Sequence, residues 1–465
     1  VAVLPDLAVP ASAPRLDTGR DPYIDSLRAA ALLRVIIYHV YGWVWLPVVF
    51  PSMGIMFAMA GSLMAVSLDR APGWPWGVVW RRLRRLVPPL WLMGALLLPI
   101  MFAHGWTHRA DDSSAASWPA LLLWLVPISD PPGSDWAVDW VTPLWYIRAY
   151  LWFVLISPAF VWLFRRWPRQ VLALPFLVTG ATAVGLVELQ GRVGDVWVGL
   201  ATYGGCWLVG FAHHDGRLRA LPWRFVLPVG LGLLTAGLAW ALANPDPTGS
   251  WNVDGIPPAQ MLYSLGAVLL LMRGRPPMGW LRWMPWLAGL VAAINARAVT
   301  IYLWNNVAIF VAAPLLNSWS VTAGWTGGAS GQLLILIVAV ICLIAIIPAA
   351  GWVEDVAARR SPRINPWPPR SRPPRDVSRW SARLRAPVVA AVGLALTAVP
   401  AAGSVRPDAA RRPAPPSPSV SSAFSPSPQP ITAPATPLPL VGSAPKLLPA
   451  ALETVPLPPT LSRRP

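Results

Sequence analysis

The chain has 465 residues, of which 55% are hydrophobic, 12% are charged and 29 are tryptophan, whereas a soluble domain carries about 25% charged residues. Apolar runs of the roughly 18–20 residues that a spanning helix needs recur along it, which excludes an ordinary water-soluble enzyme. A formal net charge of +17 would point to nucleic acid in a soluble chain, but here the arginines crowd the short connections between apolar runs, the usual footprint of membrane topology, so no nucleic-acid partner is expected.

The predicted fold is all-α, a polytopic transmembrane helix bundle of about ten spans in the lipid bilayer. Residues 1–22 read as a cytoplasmic N-terminal segment and the first span, about 27–46, as an uncleaved anchor, because the residues before it are polar and Pro-rich. The second span covers about 51–68. The arginine-dense connection DRAPGWPWGVVWRRLRRL leads to the third, about 86–103. A segment bearing Asp111, Asp112, Asp130, Asp135 and Asp139 then runs to Thr142. Inside it, WPALLLWLVPI (118–128) is too short to cross and is expected to be re-entrant or interfacial. Further spans are predicted at about 143–164, 171–189, 196–212, 225–243, 257–272, 297–316 and 331–350, with an interfacial piece at 284–295.

With the N-terminus inside, the inner connections hold Arg70, Arg81, Arg82, Arg84 and Arg85, then the groups at 165–169, 217–224 and 273–282. The outer ones hold only Arg109 and Arg192. This alternation predicts a multi-pass cell-membrane protein with a cytoplasmic N-terminus. Residues 353–385 read as a basic cytoplasmic linker and 386–403 as an eleventh, weaker span. Residues 404–465 are a Pro/Ser/Ala-rich tail expected to be disordered, since it has no apolar periodicity with which to bury a core. Cys206 and Cys342 lie in apolar runs and read as buried small hydrophobes. No Cys/His spacing resembles a metal site, so no metal is expected. His104, His108, His213 and His214 lie in or near loops and read as solvated.

The first span, YIDSLRAAALLRVIIYHVYGW, carries Arg28, Arg34 and His39. Charges at such depth cost at least a few kcal/mol unless they face a wet cavity or a partner. Eleven residues separate Arg28 from His39, so at about 100° per residue both lie on one helix face. Arg34 points toward the other side. Taken singly, Arg28 also reads as a snorkelling anchor, Arg34 as an ion-pair partner and His39 as a hydrogen-bonded packing residue. Taken together, an imidazole suited to accept a hydroxyl proton and a guanidinium suited to a phosphate form a candidate site.

This stretch resembles the first helix of the acyltransferase-3 family, integral membrane O-acyltransferases in which an Arg precedes a His by this spacing. The likeness continues in chain order. PSMGIMFAMAGSLM is similar to the family's second helix, which usually ends Ser-Gly-Phe; Gly61 matches, while Ala60 and Ser62 replace the Ser and the Phe. RRLRRLVPPLW resembles the basic motif before the third helix, with Arg82 and Arg85 in the matching places. PLWYIRAYLWFVLISP resembles the Leu-Trp segment of the fourth, with Tyr150 where one branch has a Glu. RAVTIYLWNNVAI resembles the late Tyr-Leu-Trp-His segment, with Asn305 where many members have a His.

The resemblance covers about residues 20–350 and implies an acyltransferase-3-like transmembrane domain at 23–352. It implies transfer of an acyl group, commonly acetyl, from acyl-CoA to a hydroxyl of a cell-envelope glycan, glycolipid or secreted metabolite. Acyl-CoA is a co-substrate, and no permanently bound cofactor is expected. It implies His39 as general base, Arg28 with the donor-binding Arg82 and Arg85 on the phosphates, and Trp145, Tyr302 and Asn305 along the cavity. Packing remains the other reading of Trp145 and Tyr302, and helix–helix hydrogen bonding that of Asn305 and Asn306. Direct transfer and an acyl-His intermediate are both open. Many relatives carry an additional esterase-like domain, so a separate periplasmic or extracytoplasmic transferase is a further candidate partner. The competing functional reading is a multi-span transporter or flippase for a lipid-linked or polar substrate. Broken helices in internal repeats would mark it, and the two halves show no convincing repeat.

Overall fold

The computed structural model describes residues 21–104, 106, 117–189, 191–317 and 328–361. The expected eleventh span, the tail, residues 362–385 of the basic linker, nearly all of the N-terminal segment, and His108, Arg109, Asp111 and Asp112 lie outside the described residues. The described secondary structure is helical, without a strand. Eleven longer helices follow in order: α1 (Pro22–Tyr41), α2 (Ser52–Asp69), α3 (Pro75–Ala103), α4 (Leu144–Arg166), α5 (Pro168–Ala183), α6 (Gly191–His214), α7 (Trp223–Ala243), α8 (Pro257–Arg273), α9 (Pro285–Ala296), α10 (Ala298–Asn317) and α11 (Gly328–Ala357).

Each of the first ten predicted spans coincides with one of these helices, and α9 is the short piece expected before the ninth span. Six of them (α2 with the turn before it, α3, α4, α7, α10 and α11) are long and apolar enough to cross a membrane, which marks a multi-pass membrane protein. The other four fall short for visible reasons. α5 and α8 have 16 and 17 residues, below the roughly 20 of a typical span. α1 carries Asp25, Arg28 and Arg34, and α6 is diluted by Gly199, Thr202, Tyr203, Gly204 and Gly205.

Local sequence explains the helix ends. The Asp21 carboxylate accepts the Tyr23 N–H at 3.0 Å, Pro22 opens α1, and Gly42, at φ 63°, closes it by donating its N–H to the Tyr38 carbonyl at 2.8 Å. α3 begins at Pro75 instead of about residue 86. A proline in the first helical turn lacks only an N–H that would be unpaired there anyway. The arginine-dense connection therefore forms the opening turns of α3.

α2 and α6 cross at close range through Gly61 and Gly210. A Cβ on Gly61 would overlap the Trp207 carbonyl, and one on Gly210 the Ala58 carbonyl. Around this crossing Phe57, Tyr146, Phe153, Tyr203 and Trp207 form a buried aromatic cluster, with Phe153 stacked on Trp207 at 4.8 Å. The stretch 118–128 does not cross. It makes one turn at Trp118–Leu121 and a 3-10 turn at Leu122–Trp124. Trp91 of α3 and Trp152 of α4 donate their indole N–H groups to its Leu125 and Ile128 carbonyls, both at 2.9 Å. Those carbonyls gain side-chain donors in irregular backbone whose Leu122, Leu125, Val126 and Ile128 side chains are exposed.

Candidate functional site

Arg82 and Arg85 share a face of α3 because residues three apart are neighbours on a helix. With Arg28 of α1 they line a cavity of about 180 Å³, whose wall also includes Tyr146, Tyr302 and Glu354. The three guanidiniums are held differently. Arg82 donates to the Leu63 carbonyl at 3.0 Å and to Ser67 Oγ at 2.9 Å, so α2 holds it. Arg28 and Arg85 have no hydrogen-bond partner among the described residues. The acid nearest Arg85 is Glu354, 4.0 Å away and beyond hydrogen-bond reach. Two open guanidinium forks beside a fixed one suit an anion with several oxygens, above all a phosphate.

Tyr146, Tyr150 and Tyr302 make part of the wall aromatic. Tyr302 Oη donates to the Pro143 carbonyl at 2.8 Å, which pins α10 to the start of α4, and its ring lies 4.9 Å from Tyr146. Phe57 then bridges Tyr146, at 4.8 Å, to Tyr203, at 4.7 Å. Trp145 and Asn305 do not line the cavity. Trp145 stacks on Tyr203 at 5.6 Å. Asn305 donates back to the Tyr302 carbonyl of its own helix, while its neighbour Asn306 reaches across to the Asp139 carbonyl at 2.9 Å.

His39 also stands off the cavity wall that Arg28 joins. At about 1.5 Å rise per residue, some 16 Å of helix separates the two. The His39 Nδ1 lies 2.8 Å from the Val35 carbonyl. A carbonyl can only accept, so Nδ1 carries the proton and Nε2 keeps the lone pair of the neutral ring. Close by, Arg34 donates to Asp254 Oδ2 at 2.8 Å and lies over the Tyr38 ring at 4.8 Å. The Tyr38 hydroxyl accepts from Asn252 at 2.6 Å. Arg34 is therefore an ion-pair partner, as one of its readings has it. Gln260, at the start of α8, donates to Tyr203 Oη of the aromatic cluster at 3.3 Å.

The expectation that His213 is solvated is overturned, because α6 continues through residue 214 and buries it, whereas His214 stays partly exposed. His213 is buried. Arg275 donates to its Nε2 at 2.8 Å, so its Nδ1–H donates to Ser62 Oγ at 3.0 Å. His214 Nε2 meets Asp69 at 2.8 Å. Asp69, His214 and Asp215 have the mutual spacing of a metal site, but Arg165 binds both carboxylates, at 2.8 and 2.9 Å to Asp69 and at 2.6 and 3.2 Å to Asp215. That arrangement is an ion-pair network. His104 is exposed, as expected, and Cys206 is buried.

Tyr146 and Glu354 are among the cavity residues that escaped the reading of the sequence. Tyr146 lies within the Leu-Trp segment but looks like any other interfacial aromatic. Glu354 did leave a signal, since Glu354 and Asp355 are the only charged residues of α11 and come at its very end. A family model described as an acyltransferase domain, acyltransferase-3, matches residues 21–349, so Glu354 lies just past the match. No curated protein and no solved structure matches the chain.

Proposed function

The chain belongs to the acyltransferase-3 family, and from that premise we propose that it moves an acyl group, acetyl in the first instance, from acyl-CoA to a hydroxyl of a cell-envelope glycan, a glycolipid or a secreted metabolite. The observation that carries this reading is the pairing on one helix of an open guanidinium, Arg28, in an arginine-lined cavity with an imidazole, His39, whose Nε2 is left free to accept a proton. In this mechanism Arg28, Arg82 and Arg85 hold the donor's phosphates at the cytoplasmic end. The thiol-bearing arm extends along α1 past Tyr146 and Phe57 toward His39. The acceptor's proton passes to Nε2 as its oxygen attacks the thioester carbonyl. The tetrahedral intermediate then expels the thiolate, which recovers the proton as free thiol, leaving an ester on the acceptor. General-base assistance of this kind is worth about 10²–10⁴-fold.

The test compares wild type with His39→Ala in a host lacking the native copy, reading acetyl and longer acyl esters on envelope and secreted glycans by mass spectrometry. Ester lost in the variant, with the protein still in the membrane, is the expected result and identifies the acceptor. Esters unchanged in both the variant and a full deletion would overturn the reading, and uptake or export assays would come next.

A further inference from the structure

Glu354 contributes a carboxylate to the wall of a cavity whose other charged lining residues are three arginines, and it is only 2% exposed. Its two oxygens differ. Oε2 accepts from the Thr300 backbone N–H at 3.2 Å and from Thr300 Oγ1 at 2.9 Å, at the start of α10. Oε1 is buried without a hydrogen-bond partner and lies 4.0 Å from Arg85 Nη2. An unpartnered buried carboxylate oxygen is costly, and Arg85 across the gap makes no hydrogen bond to any described residue. The two groups are close enough to attract and too far apart to saturate each other. The Arg85 side chain is 39% exposed, so its guanidinium has room to turn toward the cavity.

We infer that Glu354 is an internal counter-ion that competes with the donor's phosphates for Arg85, holding the guanidinium while the cavity is empty and drawing it back as the spent donor leaves. This rests on the acyl-CoA reading above. It goes beyond that reading by giving an acidic residue, outside the matched domain, control over how tightly the arginines hold the anion. Donor and spent donor carry the same phosphates, so a cavity with only cations would retain both equally. A carboxylate that re-engages one cation weakens that grip without altering the acyl-bearing end.

The sign of the effect separates competition from simple structural support. Binding of coenzyme A and of pantetheine, which lacks the phosphates, is measured on the purified full chain in lipid nanodiscs. Glu354→Gln keeps an acceptor for Thr300 and removes the charge. It is expected to tighten coenzyme A roughly fivefold, the scale of one screened charge pair, with no change for pantetheine. Thr300→Val removes the shorter of the two bonds to Oε2 and leaves the backbone N–H, so the carboxylate can lean further toward Arg85, and it is expected to weaken coenzyme A binding. In an Arg85→Gln background, coenzyme A binds more weakly and Glu354→Gln has no further effect. Unchanged or weaker coenzyme A binding in Glu354→Gln, with binding still weakened in Arg85→Gln, would overturn the inference alone. Absence of coenzyme A binding by wild type would overturn the donor reading and the inference with it. The Thr300→Val result guards the test against a Glu354 variant that fails to fold, because tighter binding in that variant also contradicts competition.

Discussion

Arg28 and Arg34 stand six residues apart on α1, and their surroundings differ in what satisfies the charge. Arg34 is 6% exposed and bonded to Asp254, its guanidinium over Tyr38, with Asn252 in turn holding the tyrosine. Arg28 faces a cavity and bonds to no described residue. The same side chain on the same helix is in one place part of the packing and in the other part of a cavity wall. Intramembrane charge alone therefore does not mark a site; an unsatisfied charge beside a cavity is the sharper sign.

The largest effect that would test this contrast is on stability. Asp254→Ala leaves Arg34 buried and unpaired and is expected to cost about 3–5 kcal/mol, read as a lower melting temperature in detergent. Replacing both partners, Arg34→Met with Asp254→Leu, should recover most of that loss. A small effect of the single variant would mean that the pair does not anchor α1. Next comes Arg28→Gln, for which melting is expected to stay at the wild-type value while KM for acyl-CoA rises about tenfold, about 1.4 kcal/mol. A lowered melting temperature instead would make Arg28 a second structural arginine and erase the contrast. The smallest effect belongs to Arg165, which is 35% exposed and joins Asp69 to Asp215. Arg165→Ala is expected to cost at most about 1 kcal/mol and to matter less at high salt. A salt-insensitive loss as large as that of Asp254→Ala would show that exposure is not what separates the two networks.

Much of the fold was legible because it depends on neighbours in the chain. The length of 118–128 was enough to rule out a crossing, Pro22 and Gly42 bracket α1, and each of the ten predicted spans within the described residues is a helix. The errors lie at helix ends. Two further residues on α6 take His213 out of the solvent, and Pro75 draws the arginine motif into α3, where weak local preferences are decided by what the end packs against. In the candidate site the spacing of Arg28, Arg82, Arg85 and His39 could be read from the motifs. The parting of Trp145 from the cavity and the entry of Glu354 could not.

Composition and periodicity settle that this chain is a helical membrane protein and that Arg28 and His39 share a helix face, since a rise of about 1.5 Å and a turn of about 100° per residue hold wherever a helix forms. Which charges are satisfied was decided only in three dimensions. Asp254 reaches Arg34 across 220 positions of sequence, and Glu354 comes to Arg85 from the end of the last described helix. Pairings of that kind arise from how helices pack, and a local pattern carries no information about partners that far along the chain.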